Sequence, residues 1–254
     1  MSILLPLYIY PWAGAWDPLY SAARTHPNLN ITAIINPCSG PCANGIAEQP
    51  YITEIPKLKQ YPNIRTLGYV ATNYTNKPID AVVQEIYTYA NWTKTMNNPS
   101  LAMDGIFFDE VPGTYDWHYR DYLNLAKDAV KASSGLGQKF IVHNPGTIPN
   151  INWNYLEIAD VTVVYEETYM NFLDAPNFNA LKALSNNTHF PKSKMAVMLH
   201  TVPNIPDDLL DWTAKQLKDM VGWSFMTSVQ TKGEWWHSFS PLFAPFFNAV
   251  DRNK

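Results

Sequence analysis

The chain has 254 residues, of which 46% are hydrophobic and 16% charged. That composition supplies one large core and excludes an intrinsically disordered chain. The formal net charge of -4 comes without any cluster of lysine or arginine, which excludes the basic footprint of a nucleic-acid binder. No apolar run approaches the roughly 20 residues that span a bilayer, so no transmembrane segment is expected.

In chain order, Ile3-Leu4-Leu5 meets Pro6 with no basic segment before it, and reads as the start of a strand, Leu4 to Tyr10, rather than as a signal peptide. An exported protein would therefore carry its signal outside this sequence. The second β-like run, Ile31 to Asn36, leads into Pro37-Cys38-Ser39-Gly40-Pro41-Cys42. The Gly-Pro turn brings the two sulfurs within bonding reach, and a local disulfide is expected. A redox pair is disfavoured, because three residues separate the cysteines and no thioredoxin pattern surrounds them.

Further runs follow at Arg65 to Ala71, Met103 to Asp109, Lys139 to Asn144, Val161 to Glu166, Lys194 to His200 and Val221 to Thr227. Between them lie segments of helical period: Pro78 with Ile79, Val82, Val83, Ile86 and Ala90, then Tyr119 to Val130, then Asp207-Asp208 leading to Met220. Eight strands starting 22 to 38 residues apart leave room for a crossover helix each time. The expected fold is α/β, a (β/α)8 TIM barrel forming one domain over residues 1–254. A doubly wound sheet is the alternative, but no glycine-rich phosphate loop follows any strand.

Barrel enzymes build their sites at the carboxyl ends of the strands. There this sequence places Tyr8, Tyr10 and Trp12 after strand one, Asn36 after strand two, Tyr69 on strand three, and Asp109-Glu110 after strand four. Strand five ends at His143-Asn144, strand six at Glu166-Glu167 and strand seven at His200. Asp109 and Glu110 must point to different sides of the strand, so one of them faces the mouth. Glu166, two strands further round, can oppose it. Two opposed carboxylates are the minimum for glycosidic cleavage, one attacking or stabilising the anomeric carbon and the other moving the proton. The bland alternative is that such acids cap the following helices.

His143 and His200 are read as substrate hydrogen-bonding groups rather than metal ligands, since no HExxH spacing occurs, and neither metal nor cofactor is expected. The absence of GxSxG disfavours a serine hydrolase. Among the tryptophans, Trp12 is the first candidate for a sugar platform, Trp223 is assigned to the core, and Trp235-Trp236 is left open. Sequons at Asn30, Asn73, Asn91 and Asn186, with the cysteine loop, favour a secreted glycoprotein.

The ordered motifs Leu-Pro-Leu-Tyr-Ile-Tyr-Pro, Ile-Ile-Asn-Pro, Leu-Gly-Tyr-Val, Asp-Gly-Ile-Phe-Phe-Asp-Glu and Val-His-Asn-Pro-Gly together resemble the spherulin-4 family. Its members are similar to glycoside hydrolase family 135, secreted fungal barrels that cleave galactosaminogalactan, a biofilm exopolysaccharide of α-1,4-linked galactose and N-acetylgalactosamine. The resemblance implies an endo-acting α-1,4-N-acetylgalactosaminidase, secreted or in the cell wall, monomeric, with three acidic site residues at Asp109, Glu110 and Glu166. Only strand register separates Glu166 from Glu167 in that transfer. A retaining mechanism is expected, with Asp109 as nucleophile, Glu166 as acid/base and Glu110 in support. The rival readings are a non-catalytic carbohydrate-binding or spore-coat barrel and a polysaccharide deacetylase.

Overall fold

A computed structural model describes residues 1–42, 45–149 and 156–253. Eight parallel strands close into a barrel in sequence order. They are β1 (Ser2–Leu7), β2 (Ile31–Ile35), β3 (Ile64–Ala71), β4 (Gly105–Asp109), β5 (Phe140–His143), β6 (Val161–Thr168), β7 (Met195–His200) and β8 (Trp223–Met226). β8 returns to β1 through the pairs Ser2 with Trp223 and Ile3 with Ser224. The strands are buried on both faces, which is why they read as nearly continuous apolar runs rather than as alternating ones.

Around the barrel lie α1 (Asp17–Thr25), α2 (Gln49–Leu58), α3 (Ile79–Thr95), α4 (Trp117–Ala132), α5 (Tyr169–Leu173), α6 (Ala175–Ser185), α7 (Asp207–Met220) and α8 (Phe243–Arg252). Each longer helix turns its apolar stripe inward, as α3 does with Val82, Ile86, Tyr89 and Ala90. Gly68 lets α3 lie close to β3, since a Cβ there would stand 2.6 Å from the Tyr89 ring. α8 covers the β1–β8 seam region with Phe243, Phe246, Phe247 and Val250.

Three boundaries differ from the sequence reading. β1 ends at Leu7 instead of Tyr10, because its partner Ile35 is the last residue of β2 before Asn36-Pro37 leaves the sheet. Pro78 is the cap of α3, with an extended ψ of 134°, rather than its first helical residue. β6 continues past Glu166 to Thr168 and contains a bulge between Val163 and Tyr165.

The amino-terminal end of the barrel is a sealed floor. Asp104 accepts from Lys59 Nζ at 2.7 Å and from the Thr66 N–H at 2.8 Å. The Arg65 guanidinium lies 4.0 Å from the centre of the Phe140 ring, with Trp223 beside it. Trp223 is thus half-buried at the floor, its indole N–H donating to Ser193 O. Cys38 and Cys42 form the expected disulfide in the loop after β2.

Candidate active site

Asp109 is the last residue of β4 and faces into the carboxyl-end mouth. Its Oδ2 accepts from the Tyr69 hydroxyl at 2.7 Å, and its Oδ1 accepts from Asn144 Nδ2 at 2.8 Å and from the Glu110 N–H at 2.9 Å. Tyr69 is brought there by the register that sets it beside Phe107, two residues before Asp109 on the same strand face. Its ring stacks on Phe107 and meets Tyr8 edge-on.

Glu166 reaches the same place from β6. The bulge advances the side-chain alternation by one residue, so Glu166 turns into the mouth. Glu167 turns away: its Oε2 accepts from the Thr168 N–H and from Asn171 Nδ2 at the start of α5. Glu166 Oε2 accepts from Asn144 Nδ2 at 2.6 Å, and Oε1 accepts from the indole N–H of Trp236 at 3.1 Å.

Asn144 is therefore the hinge of the site. Its one NH2 group donates to both carboxylates, while its Oδ1 accepts from the Gly146 N–H at 2.9 Å, which fixes the amide's orientation. Gly146 can do this because it adopts φ 65°, and its own carbonyl accepts from the Glu166 N–H. The two carboxylate oxygens lie 2.8 and 2.6 Å from a single nitrogen. With amide N–H bonds spread by about 120°, that puts them roughly 4.7 Å apart.

The electrostatics separate the two acids. Burial, then the nearby Asp109, pushes Glu166 up to about 7, against the pull of Asn144 and Trp236. Burial also raises Asp109, but three donors, led by Tyr69, favour its charged form. Burial and Asp109 push the Tyr69 phenol well above its ordinary value, which keeps its proton on the donated hydrogen bond. At neutral pH the arrangement holds an ionised Asp109 beside a Glu166 that exchanges its proton readily.

Glu110 follows in the left-handed region at φ 53°, a costly position for a residue with a Cβ. Its carbonyl is pinned by the Tyr74 N–H at 2.7 Å and the Thr72 hydroxyl at 2.8 Å. Strand β4 thus ends abruptly after Asp109, and Glu110 sits on the adjacent turn.

The other sequence-derived candidates divide. Tyr8 joins the cluster: burial raises its phenol, and Asp109, Tyr69 and Glu166 all add to that rise. Its ring also meets His237 at 6.0 Å. Tyr10 and Trp12 stand further out, with the Tyr10 hydroxyl donating to Glu48 at 2.6 Å and Trp12 67% exposed. Asn36 Oδ1 accepts from the Gly40 N–H, so it holds the disulfide loop. His200 is stacked on Trp235 at 3.9 Å and touches the edge of Trp236, the residue that holds Glu166.

Two assignments are corrected. His143 makes no substrate contact: it precedes the inward Asn144, points to the opposite face, packs edge-on against Phe108 and is 2% exposed. Burial lowers its pKa to about 3, so it stays neutral. Asn144 is a positioning residue, because its donors and its acceptor are spent on the protein. Sequence reasoning missed the function of Trp236, whose only signal was a tryptophan pair in a glycine-containing loop.

The molecule is similar to several known proteins. The model of the spherulation-specific family 4 matches residues 2–250. Spherulin-4 of Physarum polycephalum is 34% identical over 171 residues, 67% of this chain and 46% of that protein. The chain thus spans about half the length of the curated relative it matches. Sph3 of Aspergillus clavatus, solved in complex with GalNAc, superposes with a TM-score of 0.92 at 37% identity, covering 98% of this chain and 97% of that one. A chitinase from Bacteroides thetaiotaomicron shares the fold, with a TM-score of 0.59 at 13% identity over 100% and 96% of the two chains.

Proposed function

Because the chain belongs to the spherulation-specific family 4, we propose that it is a glycoside hydrolase acting within an N-acetylgalactosamine-containing polysaccharide, an endo-α-1,4-N-acetylgalactosaminidase on galactosaminogalactan. The observation that carries this reading is the pair Asp109 and Glu166 held on one Asn144 amide. The likeness to a barrel solved with GalNAc supports the substrate class.

In the proposed mechanism the sugar enters above the pair. Asp109 attacks the anomeric carbon while Glu166 gives its proton to the leaving oxygen. Water, deprotonated by Glu166, then releases the glycosyl group from Asp109. An oxygen separation of roughly 4.7 Å suits this double displacement, which needs carboxyl groups about 5 to 5.5 Å apart, whereas inversion needs roughly 6.5 to 9.5 Å. Tyr69 and Tyr8 contribute hydroxyls near the nucleophile, and Glu110 supports the pair from the turn.

The protein is further proposed to act as a monomer, secreted or in the cell wall. The Cys38–Cys42 disulfide supports export, as do four sequon asparagines, Asn30, Asn73, Asn91 and Asn186, that are all exposed. The test is incubation of the purified protein with galactosaminogalactan. Oligosaccharides should appear with the wild type and not with Asp109→Asn or Glu166→Gln. Polymer that is bound but never shortened would make the barrel a binding protein, and acetate release at constant chain length would make it a deacetylase.

A further inference from the structure

Outside the mouth, on the same rim, a cavity of about 570 Å³ opens between the β7–α7 and β8–α8 loops. Barrel enzymes often hold a phosphate near the loops after strands seven and eight. This cavity is unsuited to an anion. None of its lining residues is basic, and Asp207 at the start of α7 contributes to its wall. Its polar groups are neutral amides and a hydroxyl, Asn204, Gln230 and Ser228, set against the apolar Ile205, Leu242 and Pro245. Neutral donors and acceptors beside apolar walls match a hexosamine carrying an acetamide, whose hydroxyls need hydrogen bonds and whose methyl and C–H faces need apolar contact.

The cavity is also tied to the mouth. Ser228 and Gln230 form one stem of the β8–α8 loop, and Leu242 lies at the other. The stems are joined where the Ser228 N–H donates to Ser240 Oγ, and between them the loop delivers Trp236 to Glu166. The β7–α7 wall is fastened to the same strand end, with the Val202 N–H donating to Thr227 O and the Thr201 N–H to Val229 O.

We infer that this cavity is a distal subsite for an N-acetylated hexosamine unit of the polysaccharide whose chain is cut between Asp109 and Glu166. The inference rests on the glycosidase reading for its choice of polymer. A chain long enough to reach both places binds through both, so the subsite favours long substrates and leaves short ones unaffected. Because the bound sugar touches the root of the Trp236 loop, it also holds in place the donor that steadies Glu166.

The test compares wild type with Asn204→Ala/Gln230→Ala, both exposed positions whose truncation leaves the core intact. Hydrolysis of α-1,4-linked N-acetylgalactosamine oligosaccharides of increasing length is measured, together with calorimetric binding of the same oligosaccharides to each protein. The double variant should lose the long-chain advantage, with KM for the longest substrates rising about tenfold for two lost hydrogen bonds, while kcat and short-substrate kcat/KM stay unchanged. Ile205→Trp, which fills the cavity, should do the same. An unchanged length dependence and unchanged long-chain affinity in both variants would overturn the subsite. If wild type cleaves nothing, yet binds long chains more tightly than the double variant does, the subsite stands and the glycosidase reading fails.

Discussion

Strand β4 carries an aspartate at each end, and the two live in opposite surroundings. Asp104, at the floor, is neutralised by Lys59 at 2.7 Å and tied to Thr66. Asp109, at the mouth, accepts three hydrogen bonds from Tyr69, Asn144 and the Glu110 N–H, all of them neutral. A carboxylate matched by a cation holds a fold together. One kept charged by neutral donors, beside a second buried acid, is poised to react with something that develops positive charge, as a glycosyl centre does.

Substitutions should drive this contrast to its extremes. The largest effect belongs to Asp109→Asn, which should lower kcat by at least about 10³-fold because no covalent intermediate can form. Its melting temperature should hold or rise, since a buried carboxylate has been removed; a fall in both would make Asp109 a structural residue like Asp104. Glu166→Gln comes next, with a loss of roughly 10² to 10⁴ in kcat, measurable on any cleaved substrate.

The pH behaviour sharpens the contrast further. Glu166 rises from 4.5 to about 7 on folding, so the native state binds its proton more tightly than the unfolded chain does. Its contribution favours the native state below pH 4.5 and is lost as pH climbs to about 7, amounting to about 3 kcal/mol. Urea melts across pH 4 to 8 should show that decline in wild type and a flatter curve in Glu166→Gln. Turnover should fall on the alkaline side of about 7, where Glu166 loses the proton it must donate.

Trp236→Phe has a subtler consequence. Removing the indole donor takes support from the charged form of Glu166, so the alkaline limb of kcat/KM should move upward by less than about one pH unit. A purely structural tryptophan would lower activity without moving the limb. The smallest catalytic effect belongs to Asp104→Asn, which should leave kcat unchanged while costing roughly 1 to 3 kcal/mol in denaturant unfolding.

Much of the barrel was legible in the sequence because buried parallel strands are written as apolar runs and their spacing leaves room for helices. Helix α7 spans Asp207–Met220, where the acidic start and apolar period placed it. The site was legible as a set of strand ends, which brought forward Asp109, Glu166, Tyr69, Tyr8 and Asn144. Side-chain direction was not. Glu166 faces the mouth instead of Glu167 because of a bulge that no residue pattern announces. His143 and Asn144 are adjacent on one strand end, and only their pairing geometry shows which is inward. Trp236 reaches Glu166 across 70 residues, a contact that no local periodicity encodes.

The account rests on Asp109 and Glu166 acting as a retaining pair. Its most direct test follows the anomeric proton signals of freshly released oligosaccharides by NMR, before mutarotation mixes them. The account predicts that the α-anomer of the new reducing end appears first. Initial release of the β-anomer would contradict it, placing a water where Asp109 is assigned to attack.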